Sequence, residues 1–182
     1  MRIISGLNGG QKIKVPNNFK IRPTTDQSKE GIFNIISNYY DVDKLEVLDL
    51  FSGTGNISYE FASRGAKYIR AVEINFKHYN FIKSEIKRMN LNIDVIKSDV
   101  FKYLNVNSDK FDIIFADPPY NIDIYKYEII IDKIFNSKII NNNGLLIIEH
   151  SNKIKLNNFN KYYQTRKYGG CFFTFFKNTN PW

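Results

Sequence analysis

Cysteine, histidine and long apolar runs are all scarce in this chain, and each shortage closes off a class of function. Cysteine occurs once in 182 residues, at Cys171, so no disulfide can form within the chain and a reducing compartment is expected. Cys171 lies in an aromatic run and reads as a buried thiol, not a nucleophile. Only His78 and His150 are present, and nothing in the chain has metal-ligand spacing, so no metal is expected. His78 follows Lys77 on a helical segment and reads as a surface residue, while His150 ends a strand-like run after Glu149. No apolar run approaches the ~20 residues that cross a bilayer, and residues 1–5 lack the apolar stretch of a signal peptide. A cytoplasmic location and no membrane partner are expected.

Acids are outnumbered too. The 18 Asp and Glu face 26 Lys and Arg, giving a net charge of +8 and a pI near 9.4. That balance favours an anionic partner such as nucleic acid, although heavy use of Lys, Asn and Ile also follows from genome bias. At 182 residues and 43% apolar content, the chain suffices for one well-packed α/β domain and is too short for two.

What is present begins at residue 45. Strand-like runs near 46–50, 68–73, 93–97, 111–116 and 145–149 alternate with helical patterns at 57–64, 76–89 and about 125–137. Such alternation implies parallel βαβ units with right-handed crossovers. The runs 162–167 and 171–177 have no helix between them and predict an antiparallel C-terminal hairpin on a mostly parallel sheet, seven strands in all. That arrangement resembles the Rossmann-like fold of AdoMet-dependent methyltransferases. Residues 1–44 stand outside the alternation. Ile3-Ile4 and Ile13-Lys14-Val15 flank Asn8-Gly9-Gly10 as a basic β-hairpin would, and a helix follows with Ile32, Phe33, Ile36 and Tyr39 on one stripe. Thr24 and Gln27 have capping-box spacing for its start. The division is an extension over 1–44 and a catalytic core over 45–182, in one domain.

Two segments carry chemistry. The first is Asp49-Leu50-Phe51-Ser52-Gly53-Thr54-Gly55, a strand opening through Gly-x-Gly into a helix. This brings backbone N–H groups and a helix N-terminus against a ligand, with glycines where a ligand must lie on the chain. The next strand ends in Glu73, placed to accept from ribose hydroxyls, with Ile74 beside it. The third is followed by Asp99-Val100-Phe101, where Asp99 could accept from an adenine amino group and Val100 or Phe101 could pack on the ring. The candidate cofactor residues are thus Asp49, Phe51, Gly53, Gly55, Glu73, Ile74, Asp99, Val100 and Phe101. A dinucleotide site would carry a third glycine where Ser58 stands, so S-adenosyl-L-methionine is favoured over NAD.

The second segment is Asp117-Pro118-Pro119-Tyr120, at the end of the apolar run 111–116. An exocyclic amine shares its lone pair with its ring and is a poor nucleophile. Accepting its N–H groups with the Asp117 carboxylate and the Pro118 carbonyl would favour a pyramidal nitrogen aimed at a methyl donor. Pro118 and Pro119 stiffen the loop, and Tyr120 can stack on a base that has left its helix.

With Met1-Arg2-Ile3-Ile4-Ser5-Gly6, Arg22-Pro23-Thr24-Thr25-Asp26, Phe33-Asn34, Glu149-His150 and Lys167-Tyr168-Gly169, these segments resemble the small-subunit ribosomal RNA guanine-N2 methyltransferases, the RsmD family, over nearly the whole length. The resemblance implies methyl transfer from AdoMet to N2 of a guanine in 16S rRNA, within a small-subunit assembly intermediate, by a monomer. It places Arg22, Thr24 and Asp26 near the catalytic pocket and gives the basic hairpin, with Arg2, Lys12 and Lys14, the task of gripping RNA. Gln27-Ser28-Lys29 departs from a more Arg-rich continuation, and Ser52 stands where Ala is usual. The rivals are an adenine-N6 methyltransferase on RNA or DNA, a glutamine-N5 protein methyltransferase, and a non-catalytic assembly factor that binds RNA.

Overall fold

In a computed structural model that describes residues 1–19 and 24–178, the chain forms α1 (Asp26–Tyr39), a 3-10 turn (Val42–Lys44), β1 (Glu46–Leu50), α2 (Asn56–Ser63), β2 (Tyr68–Glu73), α3 (Phe76–Met89), β3 (Asp94–Lys97), α4 (Val100–Val106), β4 (Phe111–Ala116), α5 (Ile124–Asn136), β5 (Ile140–His150), β6 (Tyr162–Tyr168) and β7 (Cys171–Lys177). The strands make one seven-stranded sheet in the order β3-β2-β1-β4-β5-β7-β6. Strands β1 to β5 pair in parallel, and β7 runs antiparallel to both β5 and β6. The expected mixed sheet is therefore present, with β7 inside it and β6 at the edge.

Both faces of the sheet are covered, which is why its central strands read as near-continuous apolar runs. On one face Val47, Ile113, Phe115, Ile147 and Phe173 pack with Ile32, Phe33 and Ile36 of α1 and with residues of α2 and α3. On the other Leu48, Leu50, Ile114, Leu146 and Phe176 meet α4 and α5. Strand order reverses between β1 and β4, so the crevice at their C-terminal ends is where such a sheet places its ligands.

At the N-terminus the two arms run antiparallel: Ile3 donates to Gln11 and Gly10 to Ile3, Met1 and Ile13 exchange backbone bonds, and Arg2 stands opposite Lys12, while the N–H groups of Ile4 and Ser5 donate to the Glu60 carboxylate and that of Leu7 to the Ser63 carbonyl. Three expectations, on the cap of α1, on α4 and on the start of β5, are corrected. Helix α1 is capped by Thr25, whose hydroxyl oxygen accepts from the Ser28 N–H; the Thr24 hydroxyl is engaged by Glu149 instead. Helix α4 was not expected, being only seven residues long. Strand β5 starts five residues earlier than its apolar run, since Ile140 pairs with Phe111 and Asn141-Asn142-Asn143-Gly144, of turn composition, forms the irregularity before Leu145 pairs with Ile113.

Glu60 has no solvent exposure, and its carboxylate also receives Arg64 at 3.0 Å and the ammonium of Lys29 at 3.6 Å. Lys29, equally buried, donates further to the Arg2 carbonyl and to Asn56 Oδ1. Lys29→Met removes one partner and keeps Arg64 and two backbone donors. It is expected to destabilise the fold by about 3 kcal/mol, the low end for breaking a buried pair. The urea midpoint checks this, and an unchanged midpoint would refute it.

Candidate active site

Each strand end at the crevice contributes by a definable local mechanism. After β1 the chain turns through Phe51, Gly53 and Gly55 at φ of 60, 56 and 83°, three left-handed residues in five. For Phe51 that conformation costs about 1–3 kcal/mol, held by its surroundings. The Ser52 hydroxyl donates toward the carbonyls of Asp49 at 2.8 Å and Val72 at 3.0 Å and so stitches β1 to β2. A Cβ at Gly53 would have no atom nearer than 3.9 Å, which leaves an open cradle. At Gly55 it would come within 2.7 Å of the Tyr59 ring. Gly55 therefore serves the turn and the packing of α2 and lies off the cavity wall, and room for a ligand against the chain is left only at Gly53.

Glu73 closes β2 with 6% exposure. Its Oε2 accepts from the Gly53 N–H and its Oε1 from the Asn75 N–H, both at 2.7 Å. Burial raises its pKa, against the lowering effect of those two donors. Asp49, 2% exposed, accepts from the Ser58 hydroxyl, and burial pushes its carboxyl up to about 7. Asp99 caps α4 through Oδ1, which accepts from the Lys102 N–H at 3.0 Å.

Asp117 follows β4, anchored by its N–H on the Leu50 carbonyl at 3.3 Å. The Tyr120 hydroxyl donates to Glu149 Oε1 at 3.3 Å and lies 3.4 Å from Cys171 Sγ. Burial, then Cys171 and the charge of Glu149, raise the Tyr120 pKa well beyond that of free phenol, so it stays protonated. Glu149 Oε2 accepts from the Thr24 hydroxyl at 2.9 Å, and the Thr24 carbonyl accepts from Asn56 Nδ2 at 2.9 Å.

The strand ends open onto one cavity of about 430 Å³, with Glu149 and Cys171 behind its wall. Its walls include Asp49, Phe51, Gly53, Glu73, Ile74, Asp99, Val100, all of Asp117 to Tyr120, and Thr24. Phe101 is not on the wall; it packs edge-on against Phe51, ring centroids 6.4 Å apart, because α4 turns it away from the strand end. Of the other N-terminal candidates, Arg2 and Asp26 form an ion pair at 2.8 Å, Lys12 and Lys14 are exposed away from the cavity, and Arg22 lies outside the described residues.

The family described as conserved hypothetical protein 95 matches residues 1–177. Ribosomal RNA small subunit methyltransferase D of Buchnera aphidicola (subsp. Acyrthosiphon pisum) is 35% identical over 153 residues, 83% of this chain and 78% of that protein. The Haemophilus influenzae protein of the same name is 33% identical over 129 residues, 68% and 66% of the two chains. The chain belongs to this methyltransferase family. Among solved structures, a hypothetical protein of Thermus thermophilus superposes with a TM-score of 0.84 at 24% identity, covering 97% of this chain and 98% of that one. A T. thermophilus 16S rRNA N2 methyltransferase, in complex with AdoMet and guanosine, does so at 0.69 and 18%, covering 86% of this chain and 44% of that one. At these identities both likenesses speak for the fold.

Within this member of the family, sequence reasoning passed over His78, which lies on the cavity wall. Its Nδ1 is 3.9 Å from Glu73 Oε1 and its ring is 4.9 Å from that of Phe19. The usable signal was position: His78 sits in the first turn of the helix that follows Glu73. His150 is off the wall, its ring held between the Ser151 carbonyl and the Thr174 hydroxyl. Burial lowers its pKa. Among the described residues no group of His, Cys, Asp or Glu could hold a metal, and no helix is long and apolar enough to cross a membrane.

Because the Asp49 pKa is raised on folding, stability is lost as pH climbs from about 4 toward about 7, and the loss is complete above that. Asp49→Asn removes the buried charge and keeps an acceptor for Ser58. Its Tm at pH 8 is expected to exceed that of the parent by several degrees, at ~2–4 °C per kcal/mol, with no gain at pH 4. A calorimetric scan at both pH values decides; an equal Tm at pH 8 contradicts the account.

Proposed function

We propose that this protein transfers a methyl group from AdoMet to the exocyclic N2 of a guanine in 16S rRNA, acting as a monomer on an assembling small ribosomal subunit. The observation that carries the reading is the opening of Asp117-Pro118-Pro119-Tyr120 into the same cavity as Gly53, Glu73 and Asp99. Membership of the family, and the names borne by its 33–35% identical relatives, support the ribosomal substrate.

The residues present fit the cofactor. The open cradle at Gly53, the second lone pairs of the Glu73 oxygens, the apolar wall of Ile74 and Val100, and the buried Asp49 together suit a cationic, ribose-bearing ligand. When bound, AdoMet supplies an activated sulfonium methyl. Asp117 and the Pro118 carbonyl accept the N–H groups of the amine and free its lone pair. The Asp117 carboxylate then faces the positive charge that develops on nitrogen and takes up the proton released. Tyr120, 40% exposed and tethered at its hydroxyl, offers a base a surface to stack on. Positioning and electrostatics do the work, since the leaving group is already activated. Lys12 and Lys14 meet phosphates outside the cavity.

The test is transfer of labelled methyl to unmodified small subunits, with naked 16S rRNA and duplex DNA in parallel, followed by nucleoside analysis. N2-methylguanosine, mainly on the subunit, is expected. N6-methyladenosine would move the reaction to the adenine class, and no transfer would refute the substrate. Asp117→Ala should bind AdoMet with parental affinity and lose transfer by ~100-fold or more, in the range of removed charge-stabilising groups. Retained transfer would remove Asp117 from the mechanism.

A further inference from the structure

All 18 acidic residues fall between Asp26 and Glu149. Residues 1–25 hold five Lys or Arg and no acid; residues 150–182 hold six and no acid. The function proposed above gives the N-terminal segment a task on RNA and leaves the C-terminal one without any. Lys153, Lys155 and Lys161 lie on the loop from β5 to β6, and Arg166 and Lys167 on the edge strand β6 itself. All five are exposed, and among the described residues none forms an ion pair. On the N-terminal side, by contrast, Arg2 is neutralised by Asp26.

The two acid-free segments meet at the catalytic tyrosine. Thr24, near the end of the first, donates to Glu149, and Tyr120 donates to the same carboxylate while touching Cys171 of the second. Register carries the charge outward from there. Lys167 pairs with Phe172, and Phe172 pairs with His150 at the cavity end of β5. At ~4.8 Å per strand, the Lys167 backbone stands about 10 Å from that of His150. Lys153 and Lys155 follow His150 within five residues.

We propose that this C-terminal strip is the second half of an RNA-binding surface, holding phosphates where the chain after β5 and the edge strand β6 flank the cavity. The inference rests on the reading of the substrate as RNA. Cations on an edge strand also discourage strand-to-strand aggregation. That explains Arg166 and Lys167 alone and leaves an acid-free loop with three lysines unaccounted for. Phosphate contacts set register and orientation without reading sequence, which is what an exposed, unpaired cation strip can supply.

The test uses the full chain with Lys153→Glu, Lys155→Glu and Lys167→Glu combined, and the same three positions changed to Gln. RNA affinity is measured on small subunits and 16S rRNA across a salt series, with AdoMet affinity and Tm in parallel. The Gln variant is expected to lower the slope of log affinity against log salt by about 2, at ~0.7 for each phosphate no longer neutralised. The Glu variant should bind RNA at least tenfold more weakly at ~0.1 M salt, raising KM at constant kcat, with AdoMet affinity and Tm unmoved. Parental affinity and slope in the Gln variant, while the parent binds RNA, would overturn the proposal alone. A parent that binds AdoMet but no RNA would overturn the substrate reading, and the strip's role with it.

Discussion

The carboxylate of Glu60 is the constraint from which much else follows. A charge with no solvent exposure must be met by donors or the fold cannot hold it. Its donors come from three separate places: the backbone at Ile4 and Ser5, Arg64 one turn on, and Lys29 from α1. The helix that follows the glycine turn is thereby locked to both parts of the N-terminal extension. The pair is better regarded as fixing register than as a source of net stability, since buried ion pairs often only break even. Lys29 reaches Asn56, Asn56 reaches the Thr24 carbonyl, and Thr24 reaches Glu149. An acid on the far side of α2 thus decides where Thr24 stands in the cavity wall.

Charge in the molecule is sorted by depth. Asp49, Glu73 and Glu149 each lie at or next to the cavity end of a strand, with 2, 6 and 2% exposure. Buried acids there make the interior a poor host for anions and a good one for a cationic ligand, because interactions strengthen where water is excluded. The flanking segments carry cations and no acid, and Lys12, Lys14, Lys153, Lys155 and Lys167 among them are exposed. On the proposed function the protein admits a sulfonium and a base while holding a phosphate backbone at its rim, which this division suits. On the same reading the division keeps phosphates from entering the site meant for the base.

Much of this was legible from residues alone because the signals were local. Three strand ends carrying Gly53, Glu73 and Asp99 announce a ligand crevice whatever the packing, and β1, β2, β4 and β7 begin and end where their apolar runs do. What was missed depended on tertiary context. Thr25, not Thr24, stands at the N-cap of α1, and the Thr24 hydroxyl is used by Glu149 across 125 residues of chain. The docking of the N-terminal arms on α2, where Glu60 accepts from Ile4 and Ser5 and Ser63 from Leu7, joins residues more than fifty apart and leaves no local signal. Phe101 reads as an adenine neighbour until a seven-residue helix, too short for a periodic signal, turns it onto Phe51. His78 looks like surface until α3 is seen to start at the cavity wall and Phe19 to cover its ring.

The loop Asp117-Pro118-Pro119-Tyr120 is built so that, on the proposed function, the protein has little left to arrange. Asp117 is pinned to the end of β1, two prolines fix the following dihedrals, and the Tyr120 hydroxyl is tied to a buried carboxylate while part of its ring stays open. Ordering entropy has been lost at folding, so none of it recurs when substrate arrives. On the proposed reading, the cost of productive geometry then falls on the RNA, whose base must leave its stack at a few kcal/mol. A rigid pocket cannot reach for that base. Grip on the backbone to either side has to offset the extraction, and a chain that confines every acid to its middle while leaving both ends basic is arranged to provide it.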